Sequence, residues 1–172
     1  MPEEREVPSS STPIPLNIRY DAVMAARRKK IAKYDQDALS VHREGLPKDA
    51  KLVYVASANR RVKYGNGLKS RVVYIGTTER GVVRIAESAA KKTTELLTTH
   101  GLKALHFHVV KCKGTQSVAM WEKLESALLM EFREMYGTLP IGNHKISKTY
   151  TWDSIERSFV RSALRDTLLA YD

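Results

Sequence analysis

Apolar residues gather in three short runs in the middle of the chain. Lys51-Leu-Val-Tyr-Val-Ala56 and Arg71-Val-Val-Tyr-Ile-Gly76 are rich in β-branched and aromatic residues, and Ala104-Leu-His-Phe-His-Val-Val-Lys111 alternates. Each predicts a strand. Between the first two lies a polar stretch with Gly65-Asn-Gly67, which predicts a hairpin with a long loop or short added strands. The pattern then turns helical. Thr78 is placed to cap a helix over about 79–99 that Gly101 ends. Ser117 opens an amphipathic helix over 118–136 that stops at Gly137-Thr-Leu-Pro140. A last helix is expected from Asp153 to Leu169.

Outside this middle the texture differs. Residues 1–17, with Pro8-Ser-Ser-Ser-Thr-Pro-Ile-Pro15, read as a disordered tail. Residues 18–48 read as a helical arm, with Val23, Met24, Ile31 and Leu39 interleaved with Arg27-Arg-Lys-Lys30. The element order β-β-α-β-α over 49–146 predicts an α/β (α+β) domain: a small, mostly antiparallel three-stranded sheet flanked by helices. Residues 147–172 would add a C-terminal helix.

Composition sharpens this picture in one respect. The chain has 172 residues and a net charge of +10, and the charge is not evenly spread. Residues 1–50 carry a net +1, residues 51–118 a net +10 and residues 119–172 a net −1. The central excess points to a polyanionic partner, since each Lys or Arg set against a phosphate releases counterions. The candidates for such contacts are Arg60, Arg61, Lys63, Lys69, Arg71, Arg80, Lys91, Lys92 and His144. Cys112 is the single cysteine. With no apolar run long enough to span a bilayer and an acidic N-terminus, it predicts an intracellular protein, in cytoplasm or nucleus.

The candidate chemistry begins with one carboxylate. On the helix after Ser117, Trp121, Leu124, Leu128, Phe132, Met135 and Tyr136 form one apolar stripe. Glu125 falls inside it, at about 40° from Trp121 with 100° per residue, while Glu131 lies near its edge. A carboxylate facing the packed side is neutral, paired with a cation of a neighbouring helix, or bound to a metal. Tyr54 and Tyr74 occupy matched places on the two paired strands, and Arg84 follows on the next helix. His106, His108 and Cys112 are too few and too widely spaced for a zinc site, and Arg157, Arg161 and Arg165 form a basic stripe that reads as a solvated face.

Together these residues resemble the GIY-YIG nuclease family. Tyr74-Ile75-Gly76 matches the second motif in full, and Leu52-Val53-Tyr54 keeps only the tyrosine of the first. Arg84 stands at the family arginine's offset, Glu125 at the glutamate, and Pro140-Ile-Gly-Asn143 at the terminal Pro-x-x-Asn. Ser88 stands where many members carry a histidine, and Glu131 would give a shorter spacing to Asn143 than Glu125 does. The resemblance covers about 51–145. It implies a metal-dependent DNA endonuclease with Mg²⁺ or Mn²⁺ on Glu125, Tyr54 as general base, and Tyr74 orienting water or phosphate. Arg84 would neutralise phosphate charge and Asn143 hold the loop, with Lys63 and Lys69 as supporting charges near Tyr54. The implied partner is duplex or branched DNA, with a homodimer or two successive events needed to cut both strands. The alternative is a nucleic-acid-binding module on the same fold that does not cleave; a more distant one is a basic RNA-associated protein with Glu125 paired to Arg84.

Overall fold

The computed structural model describes residues 16–27, 39–41, 52–78, 91–92, 94–112, 118–146, 150–156 and 159–172. Five strands form one sheet: β1 (Leu16–Arg27), β2 (Leu39–Val41), β3 (Leu52–Lys63), β4 (Lys69–Thr78) and β5 (Ala104–Cys112). Their order is β2-β1-β5-β3-β4, with every pairing antiparallel. The helices are α1, described over residues 94–99, α2 (Val118–Tyr136), α3 (Trp152–Glu156) and α4 (Arg161–Leu169). The α+β class expected from the pattern holds, and β3, β4 and β5 are its three predicted strands.

Three expectations are corrected. The sheet has five strands, because β1 pairs with β5 from Leu16↔Cys112 to Arg27↔Ala104 and β2 pairs with β1. The helical arm therefore fails over 18–27 and 39–41, and the expected tail fails at Leu16 and Asn17, which open β1. An antiparallel strand leaves one row of N–H and C=O groups open, and β1 closes that row on β5. The remainder of the tail and arm lies outside the described residues. Of the two forms expected for the hairpin, a long loop or short added strands, the second holds: β3 and β4 run on to Lys63↔Lys69 and close through a tight turn at Tyr64–Leu68. Gly67 supplies the positive φ of 85° which that turn requires. The last helix is two, α3 and α4, because Val160 is extended (φ −75°, ψ 124°) and directs Phe159 fully into the core.

The sheet separates two apolar layers by strand alternation. Val53 and Val55 face α2, whose Trp121, Leu124, Leu128 and Phe132 stripe packs there with Ile155, Phe159, Leu164 and Leu168 of the last segment. Residues 150–172 thus share the main core. Leu52, Tyr54, Ala56 and Ala58 face the other way, onto Leu96, Leu97 and Leu102 of the α1 layer. The hairpin turn stops α2: the Asn66 amide donates to the Met135 carbonyl at 2.7 Å and the Asn66 N–H to that of Tyr136 at 3.2 Å. Gly137 follows at φ 79°, closing the helix end.

Candidate active site

Strand β4 lies at the edge of the sheet, and the residues of interest collect around its second half. Tyr54 is directly opposite Gly76, and Tyr74 is opposite Ala56. A bulge follows, since Ser57 pairs with Val72 and leaves Val73 extra. Val73 and Tyr74 accordingly both pack in the layer of Tyr54. The two tyrosine rings stand 5.9 Å apart, tilted 45°. They meet over Gly76: a Cβ there would come within 2.8 Å of the Tyr54 hydroxyl and 2.8 Å of Tyr74 Cε1. A glycine is what lets both phenols occupy this spot. Tyr54 is 1% exposed and also packs against Phe107, whereas Tyr74 is half-buried.

The loop after α2 seals the open edge of β4. The Asn143 side chain accepts the Ile75 N–H at 2.9 Å and donates to the Ile75 carbonyl at 2.7 Å, as a neighbouring strand would. The Gly142 N–H donates to the Val73 carbonyl at 2.8 Å. A Cβ on Gly142 would strike that same carbonyl at 2.9 Å, so the loop seats only with glycine there. Pro140 closes the turn by accepting the Asn143 N–H.

A charged group frames the tyrosines. The Lys92 ammonium lies 5.6 Å above the Tyr74 ring and pairs with Glu95 at 2.9 Å. Glu95 also faces His144 at 3.4 Å, which ties α1 to the loop. The Lys92 hydrogen bond holds the Glu95 carboxyl below its ordinary range, against a smaller opposing effect of burial. Lys63 and Lys69 do not fill the expected place near Tyr54. They sit at the ribbon tip, nine residues of extended chain beyond Tyr54, roughly 25–30 Å. Arg60 caps α1 by donating to the His100 carbonyl at 3.0 Å. Arg61, Lys63, Lys69, Arg71, Lys91 and His144 are exposed. Arg84 and Arg80 lie outside the described residues, as does Ser88.

Glu125 is buried at 6% exposure, and among the described residues no cation pairs with it. Burial, with the Glu122 carboxylate second, pushes its acid up to about 7. It lies on the α2 side of the sheet, opposite the tyrosine rings. The structure thus gathers Tyr54, Tyr74, Gly76 and Asn143 at the β4 edge and leaves Glu125 on α2, on the other side of the sheet.

Glu131, the other candidate ligand, is excluded by its partners. Fully buried, it accepts from Arg161 Nε at 2.9 Å and from Arg165 at 2.8 Å. Arg161 and Arg165 of the expected stripe are therefore a clasp on α2 and not a solvated face, Arg157 lying outside the described residues, and the cation of a neighbouring helix goes to Glu131. Among the described residues there is no group of three metal-ligating side chains and no helix long and apolar enough to cross a membrane.

No motif marks Glu95 for this place; its i, i+3 spacing from Lys92 on one helix is the local signal for the pair. A scan of the chain against protein-family models finds no match, and neither the curated proteins nor the solved structures contain one.

Proposed function

We propose that the protein is a metal-dependent DNA endonuclease of the GIY-YIG type, with its active site at the β4 edge. The observation that carries this reading is the meeting of Tyr54 and Tyr74 over Gly76 while Asn143 grips Ile75 of the same segment. Four residues from three separate stretches serve one small spot, which plain sheet packing does not require.

Glu125 suits a hard divalent cation. It is a carboxylate held in an apolar layer, and a positive charge beside it would offset the cost of its ionisation. Mg²⁺ or Mn²⁺ bound there would supply charge neutralisation for phosphoryl oxygens and a more acidic water. The base role shifts from Tyr54 to Tyr74: a base must meet solvent water, and Tyr74 is the half-buried ring while Tyr54 is enclosed. Tyr54 then fixes the Tyr74 ring from below. Lys92 sets a cation over the same spot, and Asn143 keeps the β4 edge rigid.

The second reading, a nucleic-acid-binding module that does not cleave, is favoured by the placement of Glu125 across the sheet from the tyrosines. Supercoiled plasmid incubated with Mg²⁺ or Mn²⁺, with and without EDTA, separates the two. Metal-dependent nicking that Glu125→Ala abolishes supports the nuclease. Full cleavage by Glu125→Ala would remove Glu125 from the site, and salt-sensitive binding with no cleavage of plain or branched DNA would leave the binding module.

A further inference from the structure

Asp172 follows α4 and turns its side chain onto the basic ribbon. Its Oδ1 accepts the Arg71 backbone N–H at 2.9 Å, and its Oδ2 stands 3.4 Å from the Arg61 guanidinium. The carboxylate is 13% exposed while Arg61 remains open to solvent. A cavity of about 420 Å³ adjoins this contact, lined by Asn59, Arg71, His106, His108 and Asp172 among others. It lies where the β3–β4 ladder breaks register between Ser57 and Val62. A backbone N–H joined to a guanidinium is a donor set for an oxyanion, carboxylate or phosphate alike.

The ribbon beyond this contact is also short of an anion. Lys63 stands directly opposite Lys69, and like charges facing each other across a ladder destabilise it. The pair lies two residues from Arg61, roughly 7 Å of strand, so the anion site continues into a cationic track. Leu68, 55% exposed, completes the tip.

We propose that Arg61 and the Arg71 N–H form a site for a nucleic-acid backbone phosphate, which the protein's own Asp172 carboxylate occupies until nucleic acid displaces it. Binding then exchanges one anion for another at the same donors. Only rotation of the Asp172 side chain is needed, and Tyr171 keeps its stack on His108 at 4.4 Å. The inference rests on the nucleic-acid partner proposed above and is independent of cleavage.

The test is fluorescence anisotropy of a short labelled DNA duplex with the full chain and three variants. Asp172→Asn keeps an acceptor for the Arg71 N–H but loses the charge, and is expected to bind about 3–10-fold tighter than wild type. Glu156→Gln, an equal charge change at an exposed site on α3, is expected to leave affinity within about 2-fold. Arg61→Ala combined with Asp172→Asn is expected to lose the gain. Equal affinity of Asp172→Asn and wild type overturns the exchange while leaving the nucleic-acid reading intact, as does a gain that survives Arg61→Ala or is matched by Glu156→Gln. If no form binds the duplex, the exchange and the nucleic-acid reading both fall.

Discussion

At the scale of single residues, two buried titratable groups oppose each other. Glu125 is pushed up to about 7 from an ordinary 4.5 by burial and then by Glu122. The folded protein therefore holds its proton more tightly than the unfolded chain, so its contribution is complete below about pH 4.5 and is lost as pH rises through 7. The difference is on the order of 3 kcal/mol. Glu125→Gln is expected to raise the melting temperature near pH 8 in EDTA and to change little near pH 4.5. His108 runs the other way, drawn down to about 4 by burial and then by His106, with its Nδ1 buried and without a hydrogen-bond partner. Its contribution is present above about pH 6.5 and is lost as pH falls toward 4. Urea titrations of His108→Gln should show a flatter acid limb than wild type. The tyrosines make a third test. With Tyr74 as base, Tyr74→Phe should lower plasmid cleavage by about 10²-fold or more and Tyr54→Phe by less. Equal losses in both would return the base role to the enclosed ring.

Between elements, Glu131 with Arg161 and Arg165 seats α4 on α2. Its energetics are asymmetric. Both arginines are partly exposed while Glu131 is fully buried, so truncating the acid leaves Arg165 to water and Arg161 still paired with Glu134. Truncating both arginines strands a buried charge instead. Arg161→Ala/Arg165→Ala should therefore cost about 3–5 kcal/mol of unfolding free energy and Glu131→Ala clearly less, measured by denaturant titration. The same contact shows where reading the chain succeeds and where it stops. Strands β3, β4 and β5 and helix α2 were legible because their periods of two and 3.6 are set by local burial, and the angle of Glu125 on α2 followed from them. The partner of a buried acid is not local, so the chain leaves Glu125 neutral, paired or metal-bound, and only the packing of α4 on α2 gives the arginines to Glu131. The ribbon is legible only as a loop or short added strands, because Asn59, Arg60, Arg61 and Lys63 leave little apolar alternation there. Strand β1 looked helical because Val23, Met24 and Arg27 also fit a helical period, and only the open row of β5 decides between the two. Gly76 stood out in the motif, but its reason, room for two phenols, exists only once the strands pair.

Across the whole molecule the charge has a direction. Arg60, Arg61, Lys63, Lys69 and Arg71, all from the basic segment 51–118, lie on the β3–β4 ribbon, with Lys63 and Lys69 at its end and the β4 edge at its base. A cationic ribbon of this kind suits the nucleic-acid partner proposed above. The Lys63–Lys69 pair allows affinity and stability to be separated. Lys63→Gln/Lys69→Gln removes a repulsion across the ladder, so the fold should gain about 0.2–1 kcal/mol. If both ammonium groups meet phosphates, the slope of log affinity against log salt should become shallower by roughly 1.8, at about 0.9 for each contact. A ribbon that only packs against the rest of the protein would gain the stability and leave the slope unchanged. Thermal melts and a salt series on the same two proteins read both quantities, and their opposite movement is what a surface kept cationic for a polyanion requires.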